Sequence, residues 1–180
     1  MFYVFLIGFI FISIVGTLLH FTYELSNHNK YVALFSAVNE STWEHIKIAL
    51  TPYFVWSLVD LYLYGNLNNY FFAKLVGVLS IVIIIPIIFY TYQIFTKKPI
   101  LFVDIITFYV AIFLGQYFSY LSLNMNDVPH FINYLSIILL TIIFGIYITA
   151  TIMPIKNFLF KDPLTNKYGI KGHAHHQHKN

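Results

Sequence analysis

Five long apolar segments constrain this chain more than any other feature of its sequence. They cover about residues 2–24, 41–64, 70–92, 100–121 and 131–153. Crossing a bilayer as a helix takes about 20 apolar residues, so each segment is long enough to span. Only 9% of the 180 residues are charged, against about 25% in a soluble domain, so lipid rather than water must surround most of the chain. Long apolar runs satisfy their backbone groups in lipid as helices, and the sequence predicts an all-α integral membrane bundle of about five transmembrane helices.

The remaining residues form short connections and a basic C-terminal stretch. We expect the bundle to occupy residues 1–156 and a polar, His-rich tail to occupy residues 157–180. The first segment has no basic region before it and no A-x-A-like cleavage site after it, so we expect it to stay as a helix. Residues 31–38 are too short to cross at about 1.5 Å per residue and predict an interfacial helix or a shallow re-entrant turn.

Lysine placement predicts the orientation of the bundle. The chain has no arginine, and with five spans nine of its ten lysines fall on the side of the C terminus, against Lys74 alone on the other side. Basic loops stay in the cytoplasm, which predicts that the N terminus lies outside and the C terminus in the cytoplasm. The expected location is the cell membrane. A basic face for nucleic acid is absent from the sequence, and so are cysteines. The expected partners are membrane lipids, and self-association as a homo-oligomer stays open.

A polar cluster lies where the first two segments meet. His20 and Glu24 are four residues apart near the end of the first helix, and Glu40 and Glu44 have the same spacing at the start of the second. His45 follows directly. Side chains four residues apart share one face of a helix. If the two helices pack antiparallel, as their short connection favours, all five side chains meet at one depth, on the predicted cytoplasmic side.

Imidazole and carboxylate groups are the ligands that zinc, iron and manganese take from proteins. The sequence therefore predicts a divalent metal, such as zinc, as the cofactor. The candidate metal ligands are His20, Glu24, His45 and, from the fourth segment, Asp104. Glu40 or Glu44 is then the candidate catalytic residue, acting as the general base toward a water bound to the metal.

Helix-end chemistry offers another explanation for part of this cluster. Ser41-Thr42-Trp43-Glu44 fits a capping box, in which Ser41 is the N-cap and Glu44 bonds back to it. Lys47 lies three residues after Glu44 and is spaced to pair with it. Asp104 has a similar alternative, because two lysines lie close before it at positions 97 and 98. Capping leaves the two histidines and Glu24 unexplained, so both interpretations stay open.

Three functions follow from these residues. The first is a metal-dependent membrane hydrolase that acts on a lipid or lipid-linked substrate. The second is a small proton- or cation-coupled transporter, in which Asp60 and Gln116 continue a polar path or bond to each other. The third is a non-catalytic accessory subunit whose cluster only docks helices. The His-rich end at His173, His175, His176 and His178 adds further candidate metal-binding side chains.

Three strings carry a resemblance to a known family. They are H-F-T-Y-E-L-S at 20–26, A-V-N-E-S-T-W-E-H-I-K at 37–47 and L-F-K-D-P-L-T-N-K-Y-G-I at 159–170. These strings resemble a family of small prokaryotic multi-pass membrane proteins known only as a domain of unknown function. The resemblance implies a membrane protein and no activity. It also implies that residues 159–170 are a structured element, which we expect to fold back under the polar cluster and to bring Asp162 or Tyr168 near it.

Overall fold

A computed structural model describes residues 1–173 of the chain, and the predicted tail residues His175, His176 and His178 lie outside them. Its five long helices are α1 (Phe2–Leu25), α2 (Thr42–Tyr64), α3 (Tyr70–Thr96), α4 (Leu101–Leu123) and α5 (His130–Ile152). All five are long and apolar enough to cross a membrane. The prediction of an all-α bundle with five candidate spans is confirmed, and every helix begins and ends within a few residues of its predicted bounds.

The first four helices pack in a ring, and the fifth lies outside it. Helix α1 contacts α2 and α4, α3 also contacts both of them, and α5 packs on α3. Small residues permit the closest contact, since a Cβ atom added to Gly115 on α4 would lie only 3.0 Å from the carbonyl oxygen of Gly77 on α3. The centre of the ring is filled by buried apolar side chains, including Ile12, Leu50, Val78, Ile81 and Ile112.

Two lysines that entered the orientation argument lie inside the bundle. Lys47 pairs with Glu44 at 2.6 Å, as its spacing predicts, and Lys74 pairs with Asp60 near the opposite end of α2. All four side chains are buried. Asp60 therefore has a cation as its partner, while Gln116 lines the same small cavity as that pair. A buried charge needs such a counter-charge, which explains why the carboxylate and the lysine lie together.

Residues 26–41 cover the end of the bundle at which α1 finishes and α2 begins. The 31–38 stretch forms only one 3₁₀ turn, Val32–Leu34, and does not cross. Its carbonyl groups face α2: Lys47 Nζ donates to Ala33 O at 2.8 Å and Thr51 Oγ1 donates to Phe35 O at 3.0 Å. Thr51 lies about two turns into α2, so this stretch packs alongside the beginning of the helix, as a shallow re-entrant turn requires.

Residues 153–173 return to the same end of the bundle. Trp43 N donates to Leu159 O at 2.9 Å, and the Trp43 ring stacks on Phe160 with centroids 4.7 Å apart. Asn39 Nδ2 donates to Gly169 O at 2.8 Å, where the left-handed φ of +54° suits a glycine. The expectation that residues 159–170 fold back under the polar cluster is confirmed, and the part of the predicted tail up to residue 173 is packed against the bundle.

Candidate functional site

His20, Glu40 and His45 form a compact group at this end of the bundle, which we call the histidine–glutamate trio. His20 Nε2 lies 3.6 Å from Glu40 Oε1, and His45 Nε2 lies 3.9 Å from Glu40 Oε2. One ligand atom from each residue lies within 4.8 Å of the other two. Ligand atoms around a tetrahedral ion with bonds of about 2.0–2.2 Å are separated by about 3.3 Å or slightly more, so only small side-chain shifts would be needed for all three to hold one ion.

The imidazole of His45 is held in one orientation by its own helix. Its Nδ1 lies 3.0 Å from the carbonyl oxygen of Ser41, one turn earlier. A carbonyl oxygen only accepts, so Nδ1 carries the proton and donates it, which leaves the Nε2 lone pair directed toward Glu40. Metal-binding histidines are commonly fixed by this type of hydrogen bond.

Glu40 is positioned by the returning C-terminal segment. Its backbone N–H donates to Asp162 Oδ1 at 3.0 Å, and Asp162 is buried. The other carboxylate oxygen of Asp162 accepts from the backbone N–H and the hydroxyl of Thr165. The side chain of Glu40 is 45% exposed, so its carboxylate is free to meet the two imidazoles or a ligand. The resemblance implied that Asp162 or Tyr168 lies near the polar cluster, and Asp162 does so through its hydrogen bond with the Glu40 backbone.

A cavity of about 410 Å³ lies beside the trio, between α1, α2 and α4. Apolar side chains make up most of its walls, and three of them, Phe21, Leu101 and Ile105, are also exposed on the outer surface of α1 and α4. Thr17 and Tyr109 add a pair of hydroxyl groups that bond to each other at 2.9 Å. The cavity therefore joins a polar group to an exposed apolar surface of α1 and α4.

Asp104 lines the same cavity from the first turn of α4. Its partner is Tyr92, whose hydroxyl donates to Asp104 Oδ1 at 2.5 Å and accepts from the backbone N–H of Ile100 at 3.1 Å. Nothing in the sequence indicated this contact of Tyr92. Its position about one turn before the helix end gave no signal of a partner on α4.

Glu44 lies apart from the trio and has a structural environment. Its side chain is 2% exposed, and Oε2 accepts from Lys47 Nζ at 2.6 Å and from the backbone N–H of Val38 at 3.0 Å. Ser41 is the N-cap of α2, as predicted, but the side-chain bonds of the capping box are absent among the described residues: the Ser41 hydroxyl makes no hydrogen bond there, and the Ser41 N–H donates to Asn39 Oδ1 at 2.8 Å. Buried Lys47 needs a carboxylate, which draws Glu44 away from the helix end.

Glu24 also lies outside the trio. It is one turn further along α1 than His20 and forms a second group with His28 and His173. The structure thus brings together two of the four predicted metal ligands, His20 and His45, with Glu40 between them. It places Asp104 on the wall of the adjoining cavity and Glu24 in a separate group.

Five apolar helices with this polar group at one end define a multi-pass helical membrane protein. A family model matches residues 2–170, and the chain belongs to that family, DUF6512, a family of unknown function. No match was found among curated proteins or among solved structures. The family supplies no activity, so the function must be argued from the site itself.

Proposed function

We propose that the protein is a metal-dependent membrane hydrolase acting on a lipid or lipid-linked substrate. The observation that carries the proposal is the histidine–glutamate trio at the wall of a cavity of about 410 Å³ with an apolar outer rim. Pockets of about 300–1,000 Å³ that combine apolar walls with a few polar groups are typical of small-molecule sites. The rim residues belong to helices that face lipid, which favours a substrate with an acyl chain.

The donor set fits a catalytic divalent cation such as zinc. Two imidazoles and one carboxylate leave a fourth position open, as catalytic zinc sites require. A cation bound there would supply Lewis-acid polarisation and a more acidic water. His20 and His45 would bind the cation through Nε2, and Glu40 would contribute one carboxylate oxygen. The Ser41 carbonyl keeps the His45 ring in the binding orientation.

Asp104 is our candidate for the general base. Tyr92 occupies one of its oxygens, which leaves Oδ2 for a water in the cavity that both Asp104 and the trio line. Asp104 takes a proton from that water as the water oxygen attacks an ester carbonyl. It then gives this proton to the alkoxide as the ester C–O bond breaks, so that the products are an acid and an alcohol. In this assignment Glu40 is a ligand, and Glu44 is a positioning residue that holds Val38 and Lys47.

The rest of the cavity limits the substrate class. The chain has no arginine to clamp a phosphate or carboxylate through two parallel hydrogen bonds. The apolar walls suit an acyl chain, and the paired hydroxyl groups of Thr17 and Tyr109 suit an ester or hydroxyl group. A neutral acyl ester at the membrane interface fits these features best.

The packed centre of the bundle counts against the transport alternative. Between Glu44 and Asp60 along α2, the described side chains that point inward are mainly apolar and buried, among them Ile48, Ala49 and Leu50. A transported ion needs a polar or wet path across this region. Apolar packing between Glu44 and Asp60 is instead consistent with a bundle whose functional site lies at one end.

Metal content tests the proposal first. The protein is purified in detergent with the tail histidines replaced (His175→Gln, His176→Gln and His178→Gln) and then loaded with zinc. We expect His20→Gln/His45→Gln to lose about one equivalent of zinc, because two of the three ligands are gone. His130→Gln is the matched control and should lose no zinc, because His130 is exposed at the start of α5, at the end of the bundle away from the trio.

Hydrolysis is measured on vesicles that contain neutral acyl esters, with free fatty acid detected by mass spectrometry. Loaded protein should release acid, and Asp104→Asn should lower the rate by at least about 100-fold while keeping its zinc. Loaded protein with no release from any of the esters, or equal zinc in the His20→Gln/His45→Gln variant and its control, would overturn the proposal and favour an accessory role.

A further inference from the structure

We infer that a second metal site, independent of the proposed hydrolase centre, fastens the C-terminal segment to the end of α1. It consists of Glu24, His28 and His173, which we call the clasp. These residues come from the last turn of α1, the connection that follows it and the end of the described chain. The clasp would bind a divalent transition-metal ion such as zinc.

The spacing of the clasp atoms matches a tetrahedral ion more closely than that of the trio. Glu24 Oε2 lies 2.8 Å from His173 Nε2 and 3.2 Å from His28 Nε2, and the two Nε2 atoms are 3.0 Å apart. Ligand atoms on a tetrahedral zinc ion lie about 3.3 Å apart. The three donor atoms therefore need only a slight expansion to accept the ion.

His173 is oriented for binding by a hydrogen bond on its other nitrogen. Its Nδ1 lies 3.0 Å from Val38 O, and a carbonyl only accepts, so Nδ1 carries the proton. In the neutral ring Nε2 then carries the lone pair that would bind the ion, and in the doubly protonated ring Nε2 instead donates to Glu24. A metal-binding histidine typically donates its second ring N–H to a carbonyl in this way. Val38 lies in the 26–41 loop, and its backbone N–H donates to Glu44 on α2.

The connection after α1 adopts an unusual backbone that brings His28 to the clasp. Asn27 and His28 have φ values of 53° and 62°. Left-handed conformations are uncommon for residues other than glycine and are often found at functional sites. Here the turn folds the chain back, so that the His28 ring meets Glu24 four residues earlier.

A clasp at this position ties together the parts that hold the first site. His173 ends the segment whose Asp162 accepts the Glu40 backbone N–H, and its ring bonds to the 26–41 loop. Glu24 is 64% exposed, so the ion is accessible from solvent and its remaining position can take a water. Two imidazoles and one carboxylate favour zinc or copper over magnesium or calcium.

Zinc titration of the full-length protein tests the clasp. The background carries the three tail substitutions and also His20→Gln/His45→Gln, so that the proposed hydrolase centre is removed. We expect about one equivalent of zinc to bind there by competition with a chromophoric chelator. Adding His28→Asn and His173→Gln should abolish binding, whereas adding His130→Gln should not. Asparagine is chosen at position 28 because it tolerates left-handed backbone.

A second measurement does not depend on stoichiometry. Zinc should slow amide hydrogen exchange in residues 153–173 of the background protein, and it should not do so after His28→Asn/His173→Gln. If the His173 variant fails to fold, Glu24→Gln/His28→Asn keeps the His173–Val38 bond and tests the same ligands. Equal zinc binding with and without the clasp substitutions would overturn the inference. The hydrolase proposal is unaffected by that result, because its own variants leave the clasp intact.

Discussion

Lys47 explains much of the chemistry around the site at the level of single residues. Its Nζ contacts Glu44, Ala33 O and Thr151 Oγ1, at 2.6, 2.8 and 3.2 Å. One buried cation thus connects α2, the 26–41 loop and α5. The carboxylate that neutralises it is Glu44, which sequence analysis offered as a catalytic base. This carboxylate is buried, its Oε2 is bound to the lysine and to a backbone N–H, and it does not line the cavity beside the trio.

We predict that Glu44→Gln lowers stability by about 3–5 kcal/mol, because it leaves Lys47 charged and buried without its partner. Glu40→Gln, at a half-exposed side chain, should change stability by less than about 0.5 kcal/mol and remove zinc binding by the trio. Unfolding in detergent and zinc content distinguish the two variants. Adding Lys47→Met to Glu44→Gln should recover most of the stability. A Glu44→Gln protein of normal stability that binds zinc and lacks hydrolysis would restore Glu44 as the base.

At the scale of elements, the string from 39 to 45 connects the C-terminal segment to the cavity. Asn39 bonds to Gly169, Thr42 contacts the hydroxyl of Tyr90 and Trp43 stacks on Phe160. Glu40 and His45 face the other way, into the trio. The string thus places two candidate ligands by fixing the residues between them to neighbouring elements.

This arrangement makes Asp162 a residue that supports the site without touching a ligand. We predict that Asp162→Asn weakens zinc binding by the trio about 10–100-fold, the usual effect of losing a residue that positions a ligand. Amide exchange in residues 157–173 should become faster, and helix content by circular dichroism should stay the same. Lys161→Gln, at the exposed neighbouring position, is the control. Unchanged zinc affinity with faster exchange would show that the segment does not position Glu40.

The sequence predicted elements well and long-range partners poorly, for a physical reason. Apolar length in lipid permits only helices, so all five spans were predictable. Antiparallel packing of the first two helices predicted that Glu40 meets His20, but spacing along the chain could not reveal that His173 reaches Glu24 and Val38. Those contacts join residues far apart in the chain and depend on how the C-terminal segment folds back. The local pattern predicted Ser41 as the N-cap correctly, but it could not predict that Glu44 binds the buried Lys47 instead of the helix end.

On the scale of the whole molecule, the candidate site and the C-terminal segment share one end of the bundle. The trio, the clasp and the α3–α4 connection all lie there, while the α2–α3 and α4–α5 connections lie at the other end. Lys47 and Lys74 are buried in ion pairs and carry no weight as loop charges. The remaining lysines among residues 1–173 all belong to the end that carries the site, which strengthens the lysine bias. The predicted orientation therefore puts the cavity at the cytoplasmic face.

A cysteine-free chain allows this orientation to be tested by labelling. We predict that Asn126→Cys, in the α4–α5 connection, reacts with a membrane-impermeant maleimide in intact cells, and that Pro99→Cys, in the α3–α4 connection, reacts only after permeabilisation. Both positions are exposed, and neither substitution removes a lysine. The unsubstituted protein should stay unlabelled. The reverse pattern would mean that the end rich in lysine had been translocated against the charge bias. The trio and the clasp would then lie outside the cell. The site would take zinc from the external medium and its substrate from the outer leaflet.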